Sequence, residues 1–567
     1  MSNKYRVIVI GLDGGTFSVL KPLAANGYLP NVAKIIDGGT TGTLLSSIPP
    51  VTGPAWVSFL TGKQPGKHGI FDFFGRIPGK VERQPINSGF IKAKTILSYL
   101  TESGKKVGII NVPVTYPPPK INGFVIPGLM TPNREVDFTY PPELKVEIEK
   151  KFGPYHLDVF WQKYSPRTAH LFLQDLKRCE EQRIKITLDL FEKDTWDFFM
   201  TVFAGVDRIQ HAMWKYIDMI IHEDETESNN KKSVKKQNSL KKEILSYYGL
   251  VDDAIGELLN KCNDRTFLFL MSDHGFGPLE RKFYINSYLC QEGFLSFDKK
   301  AIQRDIFYKK IRYSLRNMAM ELHVLGLIKK MSLMKERGDV KKRAMSYSFL
   351  QFINWSKTKA YCASNTEQGI YINLKGREPY GIVSPGEEYE SVCDEIINKL
   401  QEIQDPFSTE KLVSHIYKKK EIYSGPYIDF APDIIFFLRN GLYLADVQLK
   451  DRTWQETNWL TGSGTHRPDG IFMAYGKNIR GGNYIDGANI VDLAPTILYS
   501  LGIPVSSGMD GRVMMEVFEE NFINSHPIIE NKDSGEFLDL SDDQQSVYSE
   551  KEAGEVMEKL KDLGYLD

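Results

Sequence analysis

Short apolar runs without polar interruption recur along the chain. They include Val-Ile-Val-Ile-Gly at 7–11, Val-Gly-Ile-Ile-Asn-Val at 107–112 and Thr-Phe-Leu-Phe-Leu-Met at 266–271. Runs of this length and β-branched or aromatic content predict strands buried on both faces of a parallel sheet. Weaker runs predict further strands at 196–203, within 361–374, at 432–438 and at 471–475. Between them apolar residues recur at helical spacing over 94–103, 144–151, 169–193 and 247–260, and again around Asp492 and Pro495. Strands alternating with helices predict an α/β fold. Two stretches break the pattern. Residues 222–242 are charged and polar, which predicts a flexible surface loop. Residues 299–343 carry fourteen Lys or Arg against four Asp or Glu, threaded with apolar residues at helical spacing. That stretch predicts an inserted helical subdomain: a lid or a peripheral contact with anionic membrane, or else a solvated basic face over ordinary core. Beyond residue 525 the chain is polar and acidic, ending in a short helix near 553–563.

Composition adds exclusions. At 567 residues the chain is long enough for a large core carrying an insertion, and its net charge of −1 gives no reason to expect a nucleic-acid partner. The five cysteines are scattered and odd in number, against a disulfide framework or a Cys-based zinc site. No apolar run approaches the ~18 residues that would span a bilayer, and the first apolar run is too short for a secretory segment. A cytoplasmic location is the expectation, and oligomeric state stays open.

The candidate chemistry lies where the predicted strands end. Asp13 follows the first strand in Leu-Asp-Gly-Gly, and ligands of open α/β sheets bind at strand carboxyl ends. Pro49 and Pro50 keep the chain extended, Pro54 suits a first helical turn, and Trp56, Val57, Phe59 and Leu60 make a short buried helix that Gly62 can end. Thr52 then stands at a helix N-terminus, either as an ordinary cap or as a nucleophile among unpaired N–H groups. Asp207 and His211 lie four apart, on one face of a helical turn. Asp273 and His274 follow a strand directly, and His466 stands in the small-residue loop Ser-Gly-Thr-His. Each has a plain structural reading by itself. Together they are N and O ligands suited to zinc or another first-row divalent ion, numerous enough for two ions. Two such ions would clamp an in-line displacement at phosphorus and activate a threonine hydroxyl.

In these motifs the sequence resembles the alkaline phosphatase superfamily, in its type I phosphodiesterase/nucleotide pyrophosphatase branch. Thr52-Gly-Pro, Thr61-Gly62 nine residues on, Pro65-x-x-His68-Gly69, Asp207-x-x-x-His211, Ser272-Asp-His-Gly275 and Gly464-Thr-His466 come in family order. The resemblance implies a three-layer α/β sandwich with a largely parallel sheet and an inserted, partly helical cap. Its metal-binding core would span 1–290 and 456–525, the cap 291–455, and a polar tail with a short helix 526–567. It implies a two-metal hydrolase of phosphodiester or pyrophosphate bonds in small phosphorylated substrates. Asp13, Thr52, Asp273 and His274 would surround one ion, and Asp207, His211 and His466 the other. Zinc is the expected metal, with manganese or iron as alternatives, and a phospho-threonine at residue 52 the expected intermediate.

Two departures stand out. Phe73 occupies the place of an Asn that in the branch helps hold a phosphoryl oxygen, so Gly53 backbone N–H, Asn87 or Asn111 is expected to replace it. Arg208 and Gln210 stand where the branch has small residues and Gly. A sulfatase would need Cys or Ser at position 52. A phosphomonoesterase or phosphomutase of the superfamily stays open, as does a non-catalytic protein binding anionic surfaces.

Overall fold

The computed structural model describes residues 5–222, 231–298, 350–457, 462–532 and 548–565, with 231–236 as backbone only. The basic stretch 299–343 lies outside the described residues. The centre is an eight-stranded sheet. Its strands in chain order are β1 (Arg6–Leu12), β2 (Thr40–Leu45), β3 (Val107–Val112), β4 (Gly123–Pro127), β5 (Phe198–Phe203), β6 (Thr266–Met271), β7 (Asp469–Tyr475) and β8 (Asn483–Asn489). In space they run β8-β2-β7-β6-β1-β5-β3-β4. Only β7 opposes the others, pairing antiparallel with both β2 and β6.

Alternation along β1 shows why both sheet faces are covered. Ile8, Ile10 and Leu12 enter one core, with residues of helices α3 (Ala169–Glu192), α4 (Gly205–Ile221) and α5 (Lys231–Asn260). Val7 and Val9 enter the other, with residues of α1 (Thr52–Thr61), α2 (Ile96–Glu102) and α6 (Leu493–Ser500). The result is a three-layer α/β sandwich. No helix among the described residues is long and apolar enough to cross a membrane.

A second sheet lies outside this sandwich. It orders Ala360–Cys362, Gly369–Ile372, Ile434–Leu438, Tyr443–Asp446, Arg281–Tyr284 and Trp454–Glu456, with Val413–Lys418 also paired to Ile434–Leu438. A third core joins it to the nucleophile region through Val51, Val57, Ile70 and Phe73, and takes in Val556, Leu560, Leu563 and Tyr565 from the segment carrying helix α7 (Glu550–Asp562).

Two expectations are corrected here. Helix α5 begins at Lys231, inside the stretch expected to be loop. Leu240 and Ile244 of α5 are buried, and the surrounding charge hid that spacing. The 361–374 run divides into two short strands, paired antiparallel from Ala360 to Ile372. The final helix lies where expected, with Val556 and Leu560 buried.

Candidate active site

The ligand-type residues gather at the carboxyl ends of three adjacent strands. Asp13 follows β1, Asp207 opens α4 just after β5, and Asp273 and His274 follow β6. His466 arrives on the short strand Gly464–Arg467, which pairs with Gly275–Pro278 so that His466 faces Phe276. Thr52 is the first residue of α1, behind an extended Val51. Helix α1 is set close to the sheet by Gly11, where an added Cβ would stand 2.6 Å from Trp56 Cη2. Gly62, with φ of 64°, ends the helix in the left-handed region.

Two triads result. Asp207, His211 and His466 form one and Asp13, Asp273 and His274 the other, each with one ligand atom per residue inside 4.8 Å of its partners. In the first, His211 Nε2 and His466 Nε2 are 3.1 Å apart, and they lie 3.4 and 3.2 Å from Asp207 Oδ1. Each ring's Nδ1 meets a backbone carbonyl, Gly464 for His211 (3.1 Å) and Pro50 for His466 (3.0 Å). A carbonyl only accepts, so Nδ1 carries a proton and Nε2 is the atom each ring turns to the carboxylate. Three such atoms so close together could hold a metal ion. In the second triad His274 Nε2 lies 3.3 Å from Asp273 Oδ2, 3.7 Å from Asp13 Oδ1 and 3.2 Å from Thr52 Oγ1. Its Nδ1 also donates to a carbonyl, that of Gly275, at 3.0 Å. The His274 and His466 rings stack with centroids 3.7 Å apart, which brings the triads side by side.

Both carboxylate oxygens of Asp13, Oδ1 of Asp207 and Oδ2 of Asp273 are buried with no hydrogen-bond partner. Buried polar atoms are nearly always paired, so orphaned oxygens aimed at neutral imidazole nitrogens fit a divalent metal site. Charge agrees. Burial, then the neighbouring Asp273, pushes the Asp13 carboxyl well above its ordinary range. Burial lowers His274 well below its ordinary value, and lowers His466 as well, leaving ligand-ready neutral rings. For Asp207 burial opposes ionisation, but His211 and the Arg208 guanidinium outweigh it and hold the carboxyl low.

The surrounding residues orient the ligands. Arg208 is fully buried and binds Asp207 Oδ2 and Asp158, the latter at 2.8 Å. Gln210 Nε2 donates to the Gly14 carbonyl at 2.8 Å, and Gly14 N–H donates to Asp273 Oδ1 at 3.1 Å. The Asn111 amide is engaged elsewhere, donating to the Val202 carbonyl at 2.8 Å. Asn87 Oδ1 accepts from Gly89 N–H at 2.8 Å in the turn it caps, while its Nδ2 is buried without a protein partner. Gly53, in the first turn of α1, faces Phe73 and Ile86, 3.3 and 3.4 Å from where a Cβ would stand.

Sequence reasoning missed Tyr565. Its hydroxyl lies 3.5 Å from Asp207 Oδ2 and within hydrogen-bonding reach of Thr52. Burial and the Asp207 carboxylate push this phenol well above its ordinary value, so it is a neutral donor. The readable signal was the spacing of Val556, Leu560 and Leu563 behind a Ser549-x-x-Glu552 capping box. Beside the triads a cavity opens, lined by Val51, Trp161, His211, His466 and Tyr565 on one side and by Lys282, Thr366, Gln368 and Phe437 of the second-sheet region on the other.

The sequence model of the family described as type I phosphodiesterase / nucleotide pyrophosphatase matches residues 7–466. No curated protein matches the chain. Among solved structures it is similar to murine ectonucleotide pyrophosphatase / phosphodiesterase 5, at 14% identity and a TM-score of 0.47, covering 88% of this chain and 96% of that one. It is also similar to a phosphonoacetate hydrolase from Sinorhizobium meliloti in complex with phosphonoformate, at 13% identity and a TM-score of 0.49, covering 88% and 96%.

Proposed function

The chain belongs to the type I phosphodiesterase/nucleotide pyrophosphatase family, and from that premise we propose that it hydrolyses a phosphodiester or pyrophosphate bond in a small phosphorylated substrate, with Thr52 as nucleophile. Asp13, Asp273 and His274 would hold one divalent cation beside the Thr52 oxygen, and Asp207, His211 and His466 the other. Zinc suits this donor set of imidazoles and carboxylates, and manganese or iron are its nearest competitors. Bound there, two cations supply charge for the phosphoryl oxygens and lower the pKa of the threonine hydroxyl. The observation that carries the reading is the convergence of six ligand atoms in two triads, four of their carboxylate oxygens lacking a protein partner, with Thr52 Oγ1 3.2 Å from His274 Nε2.

The chain's own groups divide the remaining work. Thr52 Oγ1 forms the bond to phosphorus while the bond from phosphorus to the leaving oxygen breaks, giving a phospho-threonine that water then cleaves. The tie from His466 Nδ1 to the Pro50 carbonyl fixes the loop before Thr52 relative to the triads. Lys282, Thr366 and Gln368 line the cavity where a leaving group would lie.

Metal-loaded protein is expected to turn over bis-(p-nitrophenyl) phosphate faster than p-nitrophenyl phosphate, and to lose that turnover with chelator or on Thr52→Ala. Elemental analysis should give two metal equivalents per chain. Preference for the monoester would move the assignment to a phosphomonoesterase. Full metal loading with no turnover of any phosphate ester would make it a binding protein.

A further inference from the structure

The 548–565 segment reaches the triads through Tyr565. Tyr548 anchors it, its hydroxyl donating to the Met130 carbonyl at 2.5 Å, and helix α7 follows. Trp161 Nε1 donates to the Leu563 carbonyl at 3.1 Å, and Gly564, with φ of 86°, turns the chain inward. A Cβ on Gly564 would stand 3.0 Å from Trp161, so the turn is set by close approach as well as by backbone angle. The Tyr565 ring then lies on Phe73 with centroids 4.7 Å apart, and meets His211 and His466 edge-on at 5.8 and 6.0 Å. Its hydroxyl ends between Asp207 and Thr52. Phe73, beneath it, offers no hydrogen-bond donor of its own. The segment does not fill the cavity; Leu563, Gly564 and Tyr565 form part of its wall.

We propose that Tyr565 is a catalytic residue, its hydroxyl donating a hydrogen bond to a non-bridging oxygen of the phosphoryl group under attack by Thr52. The assignment rests on the phosphoryl-transfer reading above. Three observations support it. The hydroxyl is delivered by an aromatic stack and a Trp-to-backbone bond, which fix its position before substrate arrives. That hydroxyl stands 3.5 Å from Asp207 Oδ2, which already carries the Arg208 bond, so a better acceptor is accommodated. A donor held beside the nucleophile meets charge where it develops, and such preorganised donors are among the largest contributions to catalysis. The phenol keeps its proton throughout; Thr52 Oγ1 gives up its proton as it bonds phosphorus, and the leaving oxygen departs with the electron pair of its bond to phosphorus and is protonated from water.

Tyr565→Phe keeps the ring and its stacking and removes only the oxygen. Using full-length zinc-loaded protein, calorimetry with inorganic phosphate reads binding without turnover, and bis-(p-nitrophenyl) phosphate reads kcat. The variant is expected to bind phosphate roughly tenfold more weakly and to lose about 10²-fold in kcat, with zinc content and melting temperature unchanged. Phosphate affinity and kcat equal to wild type would overturn the proposal, and a rise in kcat would do so by making the segment a block. If wild-type zinc-loaded protein binds no phosphate, the phosphoryl-transfer reading falls and this proposal with it. Binding by wild type that is undiminished in the variant sinks the Tyr565 role alone.

Discussion

Asp273→Asn is expected to stabilise the metal-free protein, by an amount that bound divalent metal reduces. Asp273 is fully buried, Oδ1 accepts from Gly14 N–H at 3.1 Å, and Oδ2 has no donor and lies 3.3 Å from His274 Nε2. Burial, with the Asp207 charge nearby, lifts its pKa from 3.8 to about 8. In chelated protein the folded chain therefore holds a proton that the unfolded chain releases above pH ~4. Stability from this group is present below its unfolded pKa and falls as pH rises towards 8, by about 1.4 kcal/mol per pH unit. Asparagine removes that proton uptake. Its amide oxygen keeps the Gly14 bond, and its NH2 faces the lone pair of His274 Nε2. In EDTA at pH 7.5 the variant should be more stable by a few kcal/mol, and at pH 5 by much less. With zinc the gap narrows, because a ligand at a hundred times its Kd contributes about 2.7 kcal/mol that the variant forfeits. Urea unfolding of both proteins in EDTA at pH 5 and 7.5, and in zinc at pH 7.5, checks the sign, its pH dependence and the narrowing. A variant less stable than wild type in EDTA at pH 7.5 would mean that the ionised carboxylate is satisfied by protein groups. The inference of a cation site from orphaned oxygens would then be wrong.

Two further outcomes are expected. Gly11→Ala would place a methyl 2.6 Å from Trp56 Cη2 and 3.0 Å from Val202 Cγ2, which should lower unfolding free energy by about 1–3 kcal/mol and reduce turnover by displacing α1; equal urea midpoints would refute the claim that this contact sets the helix. Asp72 is buried, accepts from the Thr366 hydroxyl and has its pKa raised to about 7 by burial and then Glu367. Wild type should therefore lose stability as pH rises from about 4 to 7, by roughly 1.4 kcal/mol per unit from this group. Urea midpoints of Asp72→Asn over the same range should be flatter, and parallel curves would refute the assignment.

Asp13, Asp207, His211, Asp273 and His274 were legible because each follows a strong apolar run, whereas His466 in its small-residue loop was readable only together with them. Asp13 and Asp273 close uninterrupted apolar strands, and Asp207 and His211 share one face of a helix that follows another. Strand ends and helix faces are local properties, and parallel packing does the rest. The second sheet was only partly legible, since strands such as Ala360–Cys362 and Trp454–Glu456 are three residues long and carry too little period to read. Asn111 was a plausible donor by type, yet its amide is engaged by the Val202 carbonyl, a commitment that only backbone geometry reveals. Tyr565 was illegible because its role depends on where a short amphipathic helix docks, and a stripe of three apolar residues specifies a buried face without specifying against what.

The positions that depart from the family pattern turn out to be neighbours. Phe73 stacks on Tyr565, Tyr565 and Arg208 both approach Asp207 Oδ2, and Arg208 is paired in turn with Asp158. Gln210, one turn from Asp207, holds the Gly14 carbonyl while Gly14 N–H holds Asp273. A small residue at 208 would leave Asp158 without its buried partner, and a glycine at 210 would release the Gly14 loop that orients a ligand of the other triad. An Asn at 73 would not give Tyr565 the aromatic face on which it rests. Phe73 and Arg208 are joined through Tyr565 and Asp207, while Gln210 acts on the other triad through Gly14. These changes leave both ligand triads intact and rebuild the wall around them, which is the part of such a site that decides how the phosphoryl oxygens are held.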